Sequence, residues 1–413
     1  MRIVQKYGGS SVATAERIQL VVSRIIATRH AGHEVIVVVS AMGDTTDELV
    51  ALAKQLAAEP DPRELDVLMS TGETQAAALV AIALKEQSIP AVSLTASQAG
   101  IRTTDRHRRA LITAVHPERV IRELDAGKVC ILTGFQGITE NGDITTIGRG
   151  GSDSSAVAIA VALKADRCEF YKDVEGILTA DPRIVPQAQK LDVISHEEIL
   201  ELTTLGAQVL HPRAIELGQV YQMPLVVLPT FSAGSGTIIR TLTEEERAME
   251  QFNRVSGVVC ERNVAKVTIV GVPDRPGVAY QIFKPLAEAG INVDIIVQNV
   301  SREGITDVSF TLSAEDLPAA QRLLESVRRA LGAAMLDAAT GFGKISIVGV
   351  GMQTHPGYAA TMFGALRDAG INIQMITTSD IRITCLIDDQ HVDMAVRALH
   401  EVFIEQVTTA ASV

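Results

Sequence analysis

Two glycine-rich turns in the sequence have the residue types needed to hold phosphate. One spans residues 6–11 after an apolar N-terminal run, and the other spans residues 148–155 and leads into the apolar stretch 156–163. Glycine leaves backbone N–H groups open to an anion, and the N-terminus of a following helix adds partial positive charge. Arg149 adds a fixed, forked cation to the second turn. Two such turns in one domain indicate a phosphoryl-transfer enzyme.

The composition limits which partners the chain can bind. Its 413 residues suggest two or three domains. A formal charge of −12 and only 3% aromatic residues argue against a nucleic-acid surface, which needs Lys and Arg against phosphates and often aromatic rings against bases. An anionic ligand must therefore be held by local geometry.

The cysteines and the apolar stretches indicate in which cell compartment the protein is expected. Cys130, Cys168, Cys260 and Cys385 are far apart and mostly lie in apolar runs, so we expect reduced core residues rather than disulfides or a zinc site. No export or membrane segment is apparent, because the N-terminus enters a strand at once and the long apolar stretches end at charges. We expect a soluble, cytoplasmic protein with no membrane or nucleic-acid partner.

Short apolar runs alternate with amphipathic segments over the first ~230 residues. The runs that predict strands are 3–7, 34–40, 91–94, 128–133, 166–172 and 224–228, and the segments that predict helices include 73–87, 117–126, 152–163, 196–204 and 212–222. This alternation predicts an α/β three-layer sandwich, in which a mainly parallel sheet is covered by helices on both faces. Ligands bind such sheets at the carboxyl ends of the strands, where both glycine turns fall.

The C-terminal part contains an internal repeat. The sequence Ile-Val-Gly-Val at 269–272 recurs at 347–350, Pro-Gly at 276–277 recurs at 356–357, and Ala-Gly-Ile-Asn at 289–292 recurs at 369–372. Each copy predicts a ferredoxin-like unit, provided that one terminal strand comes from elsewhere in the chain. We therefore predict a catalytic domain over 1–235, a linker over 236–262, and two small domains over 263–335 and 336–413, with interleaving of the small domains left open.

The repeat resembles the ACT domain, which binds free amino acids where two such domains pair. The chain as a whole resembles the aspartate kinases, members of the amino acid kinase family with two C-terminal ACT domains. The resemblance lies in seven motifs in order, at residues 6–11, 38–43, 70–73, 134–137, 148–153, 172–177 and 179–183. It implies transfer of the ATP γ-phosphoryl to the side-chain carboxylate of L-aspartate. The product, 4-phosphoaspartate, begins lysine, threonine and methionine synthesis.

Lys6 and Asp153 are the expected catalytic residues. A carboxylate nucleophile needs no general base, so the protein must bring two anions together and neutralise the charge on the transferred group. We expect Lys6 to supply that charge, and Asp153 to orient Lys6 or a magnesium-bound phosphate. The alternative for Asp153 is a simple helix cap. Mg²⁺ is expected to arrive with ATP, which leaves no metal site built from protein alone.

The resemblance also implies which residues bind the two substrates. The implied ATP-binding residues are Lys6, Tyr7, Gly8, Gly9, Lys172, Asp173, Leu178, Asp181 and Arg183. The implied aspartate-binding residues are Ser40, Thr45, Glu73, Arg149, Gly150, Gly151 and Ser152. Arg149 can take one carboxylate of aspartate as a bidentate pair, and Glu73, expected at a helix N-terminus after a Thr-Gly turn, can face the ammonium group.

Two positions depart from the family pattern. Leu178 stands where relatives often have a tyrosine near the adenine or ribose, and Gln208 stands where many have a lysine. Without that lysine, Lys6 and Arg183 must do more of the phosphate neutralisation, since Gln208 donates hydrogen bonds without charge. His211, which precedes a proline and a predicted helix, is expected to be structural.

The ACT pair implies feedback inhibition by lysine, threonine or both, because an effector that prefers one arrangement shifts the equilibrium towards it. The implied effector residues are Asp274, Arg275, Pro276, Gly277, Val278, Ala279, Asn292, Val293, Asp294, Gln298, Asn372, Ile373, Thr378 and Ser379. The alternative is a purely structural dimerisation module. Relatives with this layout form homodimers through the ACT domains or heterotetramers with an ACT-only subunit, for which Met249 is the candidate internal start.

Three other functions would share some of these features. A related kinase for acetylglutamate or glutamate would share the glycine turns, but the ACT repeat and residues 70–73 favour aspartate. A regulatory subunit that senses amino acids with a decayed kinase domain is the second, and retention of Lys6, Glu73, Arg149 and Asp153 argues against decay. A dinucleotide-dependent dehydrogenase is the third, and neither turn has its Gly-x-Gly-x-x-Gly order.

Overall fold

A computed structural model describes residues 1–248, 255–299, 304–353 and 356–406. Met249, the candidate internal start, lies outside the described residues. The chain divides into two compact units: the first holds Met1–Leu178 and Gln189–Glu246, and the second holds Thr179–Ala188 together with the described part of Arg247–Val413. The segment Thr179–Ala188 therefore differs from the predicted domain assignment, which placed it in the catalytic domain.

The first unit contains twelve strands in two sheets. The strands are β1 (Arg2–Tyr7), β2 (Glu34–Val39), β3 (Ala91–Leu94), β4 (Ile101–Thr103), β5 (Ile112–Val115), β6 (Val129–Thr133), β7 (Gln136–Ile138), β8 (Ile144–Thr146), β9 (Arg167–Lys172), β10 (Val193–Ser195), β11 (Leu225–Pro229) and β12 (Thr237–Arg240). The large sheet has the order β10-β12-β11-β9-β1-β2-β6-β3, and the small sheet has the order β5-β4-β7-β8. In the large sheet only the β11–β12 pair is antiparallel.

Helices flank these strands. They are α1 (Ala15–His30), α2 (Thr45–Leu56), α3 (Pro62–Glu86), α4 (Glu118–Asp125), α5 (Gly151–Ala162), α6 (His196–Thr204), α7 (Pro212–Val220) and α8 (Glu244–Ala248). The sheet lies at the centre because its strands are apolar along their whole length. The last five residues of β2, all valine or isoleucine, are buried, as expected for a parallel strand covered on both faces.

The helix predicted over 73–87 begins eleven residues earlier, at Pro62. Asp61 caps it by accepting hydrogen bonds from the N–H groups of Arg63 and Glu64 at 3.0 and 3.1 Å. The Thr-Gly pair before Glu73 is helical and not a turn. A Cβ on Gly72 would lie 2.8 Å from the Cβ of Ala41, so this glycine permits a close approach between helix and loop.

By length and composition alone α3 could cross a membrane, and half of its apolar window is buried inside the protein. Its buried residues include Asp66 and Glu73, which are 0% and 3% exposed. Because it carries these buried carboxylates, α3 is a core helix of the first unit.

In its described residues the second unit has one sheet and four α-helices. Its strands are β13 (Gly257–Pro273), β14 (Ile296–Gln298), β15 (Ile305–Ser313), β16 (Met335–Val348), β17 (Met375–Ser379) and β18 (Arg382–Asp388), and its helices are α9 (Val278–Glu288), α10 (Leu317–Leu331), α11 (Tyr358–Asp368) and α12 (Val392–His400). The sheet order is β14-β15-β13-β16-β18-β17. The repeat is visible in α9 and α11, which each have 11 residues and follow a left-handed glycine, Gly277 or Gly357.

The two ferredoxin-like halves share their long central strands. The first part of β13, from Gly257 to Glu261, pairs with the last part of β16, and the second part of β13 pairs with the first part of β16. The strand β16 thus begins at the predicted boundary between the small domains and serves both of them. The missing terminal strand of the second copy is supplied by the start of β13.

Candidate active site

The carboxyl ends of neighbouring strands in the large sheet meet at a cavity of about 260 Å³. Residues at the ends of β1, β2 and β6, together with the N-terminus of α5, form its walls. The lining residues are Lys6, Gly9, Ser40, Ala41, Gly43, Thr46, Glu73, Phe135, Gly148, Arg149, Gly150, Gly151, Ser152 and Asp153. Both glycine turns of the sequence therefore lie in one cavity.

Asp153 and two lysines form a buried charged cluster there. The Nζ of Lys6 lies 2.7 Å from one carboxylate oxygen of Asp153, and the Nζ of Lys172, at the end of β9, lies 3.5 Å from the other. Burial acts to raise the pKa of Asp153, but the charges of Lys6 and Lys172 outweigh it and lower this pKa to about 2. Burial, followed by the charge of Lys6, lowers the pKa of Lys172. Asp153 is therefore an ionised anchor for cations and not a base.

Glu73 is the other buried carboxylate of the cavity. It projects from the middle of α3, so the helix N-terminus expected for it was wrong. Its Oε1 accepts a hydrogen bond from the N–H of Ala41 at 3.3 Å, and its Oε2 accepts one from Nε2 of Gln136 at 3.5 Å. Burial outweighs these bonds and raises the pKa of Glu73 to about 7. An approaching ammonium group would favour the ionised form.

The second glycine turn places Arg149 between two residues with left-handed backbone. Gly148 has φ 86° and Gly150 has φ 68°, and Gly150 is the N-cap of α5. A Cβ on Gly150 would lie 2.1 Å from Cγ of His211, so only glycine fits between the turn and that ring. His211 itself caps α7, where its Nδ1 accepts a hydrogen bond from the N–H of Arg213 at 3.3 Å.

Most of the predicted aspartate-binding residues line the cavity. They are Ser40, Glu73, Arg149, Gly150, Gly151 and Ser152. Thr45 does not line it, because its hydroxyl donates a hydrogen bond to the carbonyl of Met42 at 2.6 Å in the first turn of α2. The next residue, Thr46, lines the cavity instead.

Only some of the predicted ATP-binding residues lie at the cavity. Lys6 and Gly9 line the cavity, and a Cβ on Gly8 would lie 3.7 Å from Nζ of Lys6. Tyr7, however, points into the core: it is 0% exposed and stacks on Tyr171 with ring centroids 4.6 Å apart. The side chain of Tyr7 therefore faces away from the cavity, because alternate residues of a strand face opposite sides of the sheet. Binding of ATP by Tyr7 stays a prediction.

The rest of the predicted ATP-binding residues do not line the cavity. Asp173 is exposed, and Leu178 is half-buried and pairs with Lys190 across an isolated bridge. Asp181 and Arg183 lie in the second unit and bind each other, with Nη2 of Arg183 2.6 Å from Oδ2 of Asp181. The hydrogen bond from Arg183 lowers the pKa of Asp181. Neither residue lines the cavity.

Known proteins share this organisation. Residues 1–229 match the amino acid kinase family, and residues 266–329 and 345–403 each match the ACT domain. The aspartokinase of Pseudomonas aeruginosa is 48% identical over 401 residues, which is 97% of each chain. The chain belongs to the aspartokinase family.

Solved aspartokinase structures agree with the fold. The crystal structure of E. coli aspartokinase III in complex with aspartate and ADP, in its R-state, is 25% identical, with a TM-score of 0.77 over 97% of this chain and 99% of that one. The same enzyme in complex with lysine and aspartate, in its T-state, gives a TM-score of 0.76 at 25% identity, again over 97% of this chain and 99% of that one.

Apart from Ala41, Gly43 and Gly148, three contributors to this aspartokinase cavity were not predicted as site residues. Phe135 lines it with φ 67°, a left-handed backbone that is costly for a bulky residue and is found at functional sites. Gln136 donates from Nε2 to the carbonyl of Ser70 at 2.5 Å, and this hydrogen bond orients the amide group that also contacts Glu73. Thr46 is the third. The motif at 134–137 marked the first two, but its residues carried no assigned role.

The predicted effector residues lie mostly exposed on the ACT halves of the second unit. Asp294, one of the predicted effector residues, already binds an internal ammonium group: its Oδ2 lies 2.5 Å from Nζ of Lys344. Lys344 is 3% exposed and also pairs with Glu261 at 2.9 Å. An effector ammonium at Asp294 would have to compete with Lys344.

Proposed function

We propose that this protein transfers the γ-phosphoryl group of ATP to the side-chain carboxylate of L-aspartate and forms 4-phospho-L-aspartate. One observation supports this most directly. A single cavity offers Arg149 for a carboxylate, Glu73 for an ammonium group, and Lys6 beside a glycine turn for phosphate. Aspartate is an amino acid with two carboxylates, and its kinase needs these three charges together.

Substrate binding follows from the two signs of charge. The guanidinium of Arg149 pairs with one carboxylate of aspartate through two parallel hydrogen bonds. Glu73 receives the ammonium group, which favours its ionised form and offsets the cost of its burial. The side-chain carboxylate is then free to attack, and it is already ionised at neutral pH, so no residue needs to remove a proton.

Phosphoryl transfer requires neutralisation of the charge on the transferred group. Lys6 is held by Asp153 at 2.7 Å, and the N-terminus of α5 presents backbone N–H groups to the same cavity. Asp153 and Lys172 fix the position of Lys6, so the cation is in place before the substrates arrive. Lys6 then interacts with the transferred oxygens and Asp153 stays ionised throughout.

Mg²⁺ accompanies the nucleotide in this proposal. The two carboxylates that line the cavity are committed, Asp153 to lysines and Glu73 to the Ala41 N–H and the substrate ammonium. Among the described residues no cluster of three or more His, Cys, Asp or Glu side chains could hold a metal. When bound with the nucleotide, the ion would be held mainly by phosphate oxygens and water and would offset the phosphate charge.

The second unit regulates the first in this proposal. Lysine, threonine or both bind at the ACT halves, near residues 274–279, 292–298, 372–373 and 378–379, and lower the activity. The ACT halves also form the homodimer, or the contact with an ACT-only subunit in a heterotetramer. The protein works in the cytoplasm, where its four unpaired cysteines stay reduced.

A sensing subunit without catalysis is the second candidate. Exposed, uncharged Gln208 favours it, because relatives often have a lysine there. The two candidates differ in one assay: ADP release from Mg-ATP with and without L-aspartate, with hydroxylamine to trap an acyl phosphate. We expect aspartate-dependent turnover and an aspartyl hydroxamate, and slower turnover with lysine or threonine. Binding of lysine or threonine without any turnover would establish the sensing subunit instead.

A further inference from the structure

A loop rich in arginine lies beside the cavity. Residues 104–109, which we call the arginine loop, follow β4 and contain Arg106, Arg108 and Arg109 against a single acid, Asp105. All three arginines are exposed, and none of their side chains has an ion-pair partner among the described residues. In a chain with a formal charge of −12, such a local excess of positive charge is unexpected.

The loop is held in place by a buried carboxylate. Asp66 of α3 is 0% exposed and accepts hydrogen bonds from the backbone N–H of Arg108 at 3.0 Å and from the hydroxyl of Thr146 at 2.6 Å. Nδ1 of His107 lies 2.9 Å from the same carboxylate. Arg108 also has a left-handed backbone, with φ 65°. A buried carboxylate is costly to maintain, and the contacts of this one fix the loop and β8.

This fixed position is at the rim of the cavity. A Cβ on Gly148 would lie 3.0 Å from the carbonyl oxygen of Arg108 and 3.9 Å from Cα of Arg109. Arg213 joins the two segments, since it donates to the carbonyls of Ile147 and Ala110 at 3.0 and 3.5 Å. The backbone of the arginine loop therefore touches the residue that precedes Arg149.

We propose that the arginine loop attracts the dicarboxylate substrate to the Arg149 side of the cavity. This inference rests on the proposed function and adds residues that determine substrate capture. Exposed charges act over about 10 Å at moderate salt and raise the local concentration of an oppositely charged ligand. They contribute little once the substrate is bound, so their effect falls on KM and not on kcat.

The test is a triple variant, Arg106→Gln, Arg108→Gln and Arg109→Gln, assayed in the full chain. We expect the KM for aspartate to rise at least ~3-fold at about 20 mM salt, kcat to stay within about twofold, and the difference from the unaltered protein to shrink at about 300 mM salt. The corresponding triple Arg→Lys variant keeps the charge and is expected to keep the KM of the unaltered protein.

A charge-matched control uses three exposed cations that do not line the cavity, as Lys85→Gln, Arg122→Gln and Arg322→Gln. This control changes the net charge equally and should leave the KM for aspartate unchanged. An unchanged KM in the arginine-loop variant, an equal rise in the control, or a rise in the KM for ATP alone would overturn the proposal. Aspartate-dependent turnover by the unaltered protein tests the kinase function separately, and its absence would overturn both.

Discussion

At the scale of single residues, Glu73 makes the activity depend on pH. Its pKa is raised to about 7, chiefly by burial, so below that pH the carboxyl is neutral and attracts an ammonium group weakly. We expect the KM for aspartate to fall as the pH rises from about 6 to about 8, and the Glu73→Gln variant to show a high KM without this dependence. Steady-state kinetics across this range measure it.

Glu64→Gln is the matched control for Glu73, because this residue lies on the same helix with an exposed side chain that pairs with Arg63. It should reproduce the pH profile of the unaltered protein. The stability of the free protein depends on pH in the opposite direction. Burial penalises ionised Glu73, so stability is present at low pH and is lost as the pH rises through about 7. A KM that does not change with pH in the unaltered protein would contradict the assignment.

Lys6 is predicted to act in the transition state and not in substrate binding. Its ion pair with Asp153 fixes the cation in a buried position, 5% exposed, before ATP binds. In the Lys6→Gln variant we expect kcat to fall ~10²- to 10³-fold with a small change in the KM for aspartate. Lys164→Gln, an exposed change, serves as the control. A Lys6→Gln variant that loses aspartate affinity and keeps its kcat would place Lys6 in binding alone.

Residue types and motif order in the sequence predicted the charged centre, since Lys6, Glu73, Arg149 and Asp153 all line one cavity. They did not predict which of two adjacent residues in the sequence lines the cavity. Thr45 and Thr46 are chemically equal in the sequence, and only the first turn of α2 decides that Thr45 bonds to its own backbone. The inward direction of the Tyr7 side chain was not predicted for a related reason, because a motif gives the order of residues and not the face of the strand that each one occupies.

At the scale of elements, the sequence also does not show why a glycine is present. Gly72 favoured a turn before Glu73 because glycine breaks helices on average, yet it lies in α3 where the loop at Ala41 comes close. Strands β4, β7 and β8 have three residues each, which is too short for a periodic pattern to show. The long buried strands and the ACT repeat were predictable because each rests on many residues together.

Two glycine-to-alanine changes in helix interiors are predicted to have opposite effects. In Gly364→Ala, on α11, the added Cβ meets nothing within 4 Å, and the change should stabilise the protein by about 0.5–1 kcal/mol. In Gly72→Ala the added Cβ lies 2.8 Å from the Cβ of Ala41, so we expect lower stability and weaker aspartate binding. Denaturant unfolding and the KM for aspartate measure both. A stabilised Gly72→Ala variant would show that the loop yields without cost.

At the scale of the whole molecule, the chain passes between its two units more than once. The segment Thr179–Ala188, which begins seven residues after Lys172, belongs to the second unit before the chain returns to the first at Gln189. Val185 and Ala180 are 0% and 5% exposed in the apolar core that includes β16, β18 and α12. This segment is a covalent route between the cluster at Lys6 and the regulatory core.

Inside the second unit the segment is bound by polar as well as apolar contacts. The hydroxyl of Thr179 lies 2.8 Å from Nε2 of His400, which is fully buried, and the N–H of Val258 donates to the carbonyl of Thr179 at 2.8 Å. Arg397 donates to the carbonyl of Ile184 at 3.1 Å. A sequence motif shared with kinases therefore continues into a segment that packs within the second unit, which no periodicity in the segment itself could reveal.

Loosening this segment should weaken feedback and spare uninhibited turnover. Val185→Ala removes two methyl groups from a filled core, and we expect the second unit to lose about 1–3 kcal/mol of stability. Inhibition by lysine or threonine should then need a higher effector concentration, while kcat without effector stays near that of the unaltered protein. Val220→Ala, at a position 73% exposed on α7, should change neither quantity. Calorimetry and inhibition curves measure the two effects, and an unchanged inhibition curve with a destabilised second unit would show that the segment anchors the core without transmitting the effector signal.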